Sequence, residues 1–417
     1  LEKSSAYYLS GFAAAAKTGR GGLGTLENIA AGNYREYGFS TQTNGLTVDR
    51  HVIVVGATDD LGHVSYYSNP GASLLVVAPS SGDKNGVTTS DVTGKYGYSS
   101  GDYTEEFGGT SAATPILSGI EAVMLEANSK LGWRDVQTIL AITARHTGTE
   151  IGEGYKGYES EAWLVNEARQ WNGGGFHFSN DYGFGLVDAE AAVRLAKAWS
   201  LVFNQPKRSS NELKETAAIS GSWSFNETHV TEISLSFTSS ITIEAMVLDL
   251  VDLRFNSAED LIVELVSPDG TVSRLLNEYG PNGSVIFNGW QLMSRAFMGE
   301  AALGTWIVRF ESTDADAIGR LYQMRLTAYG SPAADSSVFF YTSEYGAFWS
   351  PERATLSYGE GAATIVTAAT TDDLILDLVT GLGTFGGYAL NVAAGTQVQK
   401  FVLGAGNNVL TGAGYAI

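Results

Sequence analysis

The stretch from Phe107 to Pro115, reading FGGTSAATP and continuing through Ile116 to Asn128, constrains this chain more than any other. Ala112, Ala113, Ile116, Leu117, Ile120, Val123, Met124 and Ala127 recur at helical spacing, and Ser118 and Gly119 allow close packing, so the pattern predicts a buried helix. Gly108 and Gly109 permit an unusual backbone at its entry, and Pro115 is expected in the first turn, where its missing N–H costs nothing. Ser111 is then fixed at a helix N-terminus, whose free N–H groups favour negative charge nearby. A nucleophile attacking a carbonyl needs that setting, because charge develops on the substrate oxygen as the bond forms. Gly-Thr-Ser before a helix is equally an ordinary N-cap, so the tripeptide alone does not decide.

Upstream of this helix, apolar runs alternate with helical patterns. Ala6 to Lys17 reads as a small-residue helix closed by Gly19, and Leu23 to Ala31 as a buried strand ending at Gly32-Asn33. The cluster GRGGLG between them is read as a turn, since no Gly-Lys-Ser/Thr follows and the strand comes after it. His51 to Ala57 and Leu74 to Ala78 are two further strands, and a Gly/Ser/Asp-rich loop leads on to Ser111. Such alternation implies an α/β fold with a parallel sheet and helices on its faces. Asn33, at a strand's C-terminal edge, points to the crevice where such folds bind ligands, although Gly-Asn is also a common turn.

With these motifs in place, GTSAATP running into LEANSKLGWRDVQ at Leu125 to Gln137 resembles the serine segment of subtilases, within them the kexin and proprotein convertase branch. GRGGLGTLENIAAGN, YYSNPGASLLVVAP at Tyr66 to Pro79 and YGFGLVDAEAAVRLAKAW at Tyr182 to Trp199 follow the same family order. The resemblance implies a partial subtilisin-like sheet, Ser111 as nucleophile and Asn33 as the side-chain donor to the oxyanion. It also implies substrate contacts at Ala31, Gly32, Asn44 and Thr110, protein or peptide substrates, and Ca²⁺ as a cofactor. Asn44-Gly45 stands where convertases carry the Asp-Gly of the first specificity pocket, so a weaker preference for basic residues is expected. Phe39 and Asn69 stand where they carry acidic calcium ligands. The family's catalytic Asp and His motifs lie before the asparagine segment. None of the five histidines fits the His-Gly-Thr pattern, so the expectation is an N-terminally truncated chain with both residues upstream of Leu1.

Beyond a polar linker at 201–217 the apolar period becomes two: Ile233, Leu235, Phe237; Leu261, Val263, Leu265; Trp306, Val308, Phe310; Tyr322, Met324, Leu326. With turns such as Pro268-Asp269-Gly270 this predicts an antiparallel β-sandwich at 218–331. LIVELVSPDGT, LGTWIVRF and GRLYQMRLTAYG resemble the P domain that follows the catalytic domain in convertases, placed here at 1–200. A carbohydrate-binding or adhesive sandwich has the same periodicity. Residues 332–417 are expected to be β-rich and resemble the domain preceding calcium-binding nonapeptide repeats of secreted bacterial proteins, with Gly404 to Gly412 as one such unit.

Composition suits a secreted, extracellular protein, and a bacterial source is what the C-terminal resemblance implies. A formal charge of −20 argues against nucleic acid, the absence of cysteine rules out disulfides and thiolate metal sites, and no apolar run approaches the roughly 18 residues that span a bilayer. The expected activity is calcium-dependent serine endopeptidase; a non-catalytic binding or surface protein on a degenerate protease frame is the alternative.

Overall fold

The computed structural model describes residues 6–412, apart from 228, 279–284, 288, 315, 317, 334–336 and 360. Helix α1 (Ala6–Gly22) loses helical dihedrals at Gly19, Arg20 and Gly21. The chain then turns back at Gly24, whose φ is 91° and whose missing Cβ would lie 2.5 Å from the Trp133 ring. Strands β1 (Glu27–Ala30), β2 (Val52–Thr58) and β3 (Leu74–Pro79) form a parallel sheet in that order. β2 is buried at every residue because both its faces are covered. Ile53, Val55 and Ala57 join the main core under the Ser111 helix, while Val52 and Val54 meet Phe12 of α1.

The Gly/Ser/Asp-rich loop contains a hairpin that the sequence pattern does not announce, β4 (Val87–Ser90) paired with β5 (Tyr103–Phe107). β5 leads into helix α2 (Thr110–Ala127), then α3 (Trp133–Thr143). The short pair β6 (Leu164–Val165) and β7 (His177–Phe178) precedes α4 (Ala189–Val202). α2 corrects two expectations. It begins at Thr110, so Pro115 is its sixth residue rather than part of the first turn, and no proline N–H can reach the Ser111 carbonyl four residues back. Nor is it buried all round: Val123 is 49% exposed and Ile116 and Ile120 are half-buried, whereas Glu121 is buried at 3%.

After α4 the connecting segment stays packed. Lys207 is buried, its N–H donates to Asp135 Oδ2 at 3.0 Å, and the Ser209 hydroxyl donates to Ala16 O at 3.0 Å. The sandwich starts with β8 (Leu213–Phe225). It continues through β9 (Thr231–Phe237), β10 (Ile241–Phe255), β11 (Leu261–Val266), β12 (Val272–Asn277), β13 (Val285–Phe287), β14 (Trp290–Ser294), β15 (Gly304–Ser312) and β16 (Gly319–Pro332). One sheet runs β12-β11-β15-β9; the other runs β13-β10-β16-β8, with β14 also on β10. All pairs are antiparallel. The predicted inward triplets hold on β9, β11 and β15, but on β16 a register shift between Leu321 and Gln323 puts Leu321 inside instead of Tyr322. Tyr322 lies outside the core, with the Arg254 guanidinium 5.0 Å from its ring centre.

The C-terminal part is β-rich and pairs largely in parallel. Val338–Phe340, Ala362–Val366 and Gln397–Val402 form one sheet, and Val409–Thr411 lies along Leu374–Asp377. It is seated on the α/β unit: Asn172 and Thr342 exchange hydrogen bonds, and Arg353 donates to the carbonyls of Asn172 and Gly175.

Candidate functional site

The C-terminal edge of β1 and the N-terminus of α2 meet at Asn33 and Thr110. Ala31 is buried and extends the ladder, its N–H donating to Val55 O at 2.9 Å; Gly32 follows at φ 104°, which turns Asn33 out of the sheet. Asn33 Oδ1 accepts from both the N–H and the hydroxyl of Thr110, each at 2.9 Å. Thr110 is fully buried, and its hydroxyl also accepts the Gly32 N–H at 3.2 Å. With Oδ1 held twice, the amide presents Nδ2 as its outward donor. Nδ2 lies 2.9 Å from where a Cβ on Gly109 would stand. Gly109 takes φ 76° and ψ 170°, so a side chain there would be strained and would crowd this donor.

Ser111, next in the chain, is exposed, and among the described residues its hydroxyl has no hydrogen-bond partner. The glycine entry is braced from β3. Ser80 Oγ donates to Gly109 O at 2.7 Å, and the Gly109 N–H reaches Tyr67 Oη at 3.2 Å and Ser81 Oγ at 3.3 Å. Asn69 Oδ1 accepts the Tyr34 N–H at 2.7 Å, and the Asn69 N–H donates to Gly32 O at 3.0 Å. Tyr67, Ser80, Ser81 and the bracing role of Asn69 escaped the reading of the sequence. Their signal is positional: Ser80 and Ser81 follow the C-terminal end of β3, at the same sheet edge as Asn33, and Tyr67 and Asn69 lie on the connection from β2 to β3.

Asn44 follows a 3₁₀ turn at Thr41–Thr43. It is half-buried, and its Oδ1 accepts the Leu46 N–H at 3.0 Å. Its loop is clamped from the sandwich: Gln42 exchanges two hydrogen bonds with the Met293 backbone, and Trp290 Nε1 donates to Gln42 O at 3.0 Å.

The histidines stand apart from Ser111. His51 lies at the opposite, N-terminal edge of β2, bonded to Asp49 at 2.7 Å and packed on Trp133. His63 is exposed beside Asp59, and His229 sits in a turn with Asn226. His146 Nε2 donates to Thr149 O at 3.0 Å. Burial among Trp163, Trp171 and Phe348 pushes His177 down to about 3, so it is neutral. The two positions where the family carries calcium ligands, Phe39 and Asn69, do not fit the ion through their side chains. Asn69 Oδ1 is taken by Tyr34, Phe39 brings no oxygen, and among the described residues no three His, Cys, Asp or Glu side chains gather.

A buried acid makes a second tie between the same two elements. Glu121 of α2 accepts from Asn28 Nδ2 of β1 at 2.6 Å, and Asn28 also donates to Ser118 Oγ at 2.9 Å. Burial, only partly offset by Asn28, raises the Glu121 carboxyl to about 7.

Comparison with known proteins agrees with this geometry. Residues 3–185 match the subtilase family model, and residues 246–328 match the proprotein convertase P-domain. Furin from Bos taurus is 32% identical over 320 residues, covering 75% of this chain and 37% of furin. Proprotein convertase subtilisin/kexin type 7 from Homo sapiens is 32% identical over 324 residues, covering 75% and 38%. The chain therefore spans less than two fifths of these relatives' length. The crystal structure of a serine protease of Aeromonas sobria shares the fold, with a TM-score of 0.63 at 22% identity over 78% of this chain and 68% of that one. The α/β part of the chain, through residue 185, belongs to the subtilase family, and the sandwich that follows carries a proprotein convertase P-domain.

Proposed function

We propose that the chain forms the nucleophile and oxyanion part of a kexin-like serine endopeptidase. Ser111 Oγ attacks the scissile carbonyl. The Ser111 N–H and the Asn33 amide hold the oxygen that becomes negative. The proton passes to a general base, which the family reading places in a histidine other than these five. The observation that carries the proposal is the double hold of Thr110 on Asn33 Oδ1, which leaves an N–H donor beside an exposed serine. Ala31, Gly32 and Asn44 are placed along the bound peptide, while Thr110, fully buried, serves the site by holding Asn33. An amide at Asn44 removes a charge-assisted contact to a basic side chain, so the preference for Arg and Lys is weaker than in convertases. Calcium dependence and an extracellular location belong to the same family reading; among the described residues no helix is long and apolar enough to cross a membrane.

A fluorophosphonate probe tests the proposal on the protein expressed from its complete reading frame. Labelling at Ser111 is expected, with Ser111→Ala losing both label and peptide cleavage. Residues 1–417 alone are expected to label slowly, since none of the five histidines bonds Ser111. A complete protein that neither labels nor cleaves would favour the alternative, a binding protein on a protease frame.

A further inference from the structure

Three exposed aromatic rings begin one residue after Asn33. Tyr34, Tyr37 and Phe39 are 59%, 74% and 47% exposed, and the Tyr34 ring lies 6.3 Å from Tyr37 and 5.8 Å from Phe39 between centres. Single exposed apolar residues are ordinary, but contiguous ones on a turn that borders a reactive group mark a contact surface.

The turn that carries them is held in place from beneath. The Tyr34 N–H donates to Asn69, and the Tyr37 and Phe39 N–H groups both donate to Tyr34 O, at 3.0 and 3.3 Å. Gly38 closes the turn at φ 71°. Arg35, between the rings, points the other way: its guanidinium donates to Ser68 O, Tyr158 O and the buried Asp181 carboxylate. Its charge is thus neutralised below the turn. Rings fixed on such a base bind with little further loss of conformational freedom.

We infer that Tyr34, Tyr37 and Phe39 form a subsite for an aromatic or large aliphatic side chain next to the scissile bond. The inference rests on the endopeptidase reading and narrows its substrates to polypeptide segments with an apolar residue at that position. The cluster shares a strand end with the oxyanion donor, so a peptide whose carbonyl oxygen sits at Asn33 Nδ2 runs past these rings. A cationic side chain is the competing guest, since ring faces also attract ammonium and guanidinium groups. Asp181 beneath the rings does not favour it, being already paired with Arg35, so Glu36 is the acidic side chain on this turn that a cationic guest would meet.

The test is a peptide library varied at each position within three residues of the cleaved bond, run on the protein from its complete reading frame. Wild type is compared with the triple variant Tyr34→Ala, Tyr37→Ala, Phe39→Ala. Tyr37→Ser is included because this most exposed of the three rings can be removed without disturbing the fold. The expected result is selection of aromatic or large aliphatic residues at one position. That selection falls on the order of tenfold or more in the triple variant, mainly through KM, and severalfold in Tyr37→Ser. Selection of Arg or Lys at that position, lost in the variants, would overturn the inference in favour of a cation site. Unchanged selectivity in Tyr37→Ser and the triple variant would overturn it outright while leaving the endopeptidase intact. A wild type that labels with no fluorophosphonate would remove the reading beneath it.

Discussion

Asn33 has one oxygen and one nitrogen to offer, and Thr110 takes the oxygen twice. Asn33→Leu keeps the volume and removes the donor. Turnover of the complete enzyme is expected to fall about 10²–10³-fold with KM little changed, the size of loss known for the equivalent donor of a subtilisin. Steady-state kinetics on one peptide decides it, and a shift confined to KM would place Asn33 in binding instead. Glu121 answers to pH. Its carboxyl is held at about 7 rather than 4.5, so the folded state keeps a proton that the unfolded state has released. Stability from this group is therefore complete below about pH 4.5, falls as pH rises towards 7, and stays low above it, a span of about 3 kcal/mol. Denaturant melts of wild type and Glu121→Gln should match most closely in acid and diverge, with the variant the more stable, up to pH 7. Curves that stay parallel would show that Glu121 does not titrate there. That Asn33 and the start of the Ser111 helix come together was legible because each sits in a long, ordered motif. Glu121 was not, since a lone acid inside an apolar helix carries no sign that Asn28, distant in sequence, will meet it.

Among the elements, α3 and β10 are joined by a buried ion pair. The Arg134 guanidinium grips Glu244 through two bonds, at 2.7 and 2.9 Å, and also donates to Gly330 O and Ser331 Oγ at 2.8 Å. Despite its burial, Arg134 and Lys207 hold the Glu244 carboxyl down to about 2. Arg134→Ala leaves that carboxylate without its main partner, and a loss of about 3–5 kcal/mol is expected in chemical denaturation. Replacing both residues by leucine should restore most of it; if it does not, the pair is supplying more than mutual neutralisation. Secondary structure was legible wherever one period ran unbroken, as in β9, β11 and β15. It failed at the β16 bulge, where one inserted residue exchanges inside for outside, and at the β4–β5 hairpin, whose Gly, Ser and Asp residues carry no apolar alternation.

Over the whole molecule, the cores interleave. The main core of the α/β unit takes in Ala296 and Met298 from the sandwich and Val338, Phe340, Val366 and Val402 from the C-terminal part, while Ala72 enters the sandwich core. Fully buried Arg295 donates from the sandwich to the carbonyls of Arg50 and Val52. Ending the protein after Lys207 should therefore lower the melting temperature of the α/β unit by roughly 10 °C or more, as loss of several kcal/mol requires. Unchanged melting and activity would leave the sandwich as an independent module. This dependence was only partly readable, because periodicity shows which face of a strand is buried and not which neighbour buries it. On the proposed endopeptidase reading, the packed connector has a separate consequence, for autolysis. Molecules that hydrolyse peptide bonds meet one another, and exposed connectors between folded units are where chains are usually nicked. Here the Lys207 N–H is bonded to Asp135, Trp133 and Ala16 bond Ser209, and the Lys207 carbonyl lies where a Cβ on Gly132 would be only 1.9 Å away. Drawing this segment into another molecule's cleft as an extended strand would first require α3 to come apart from the sandwich, so the natively folded protein offers its siblings no cut there.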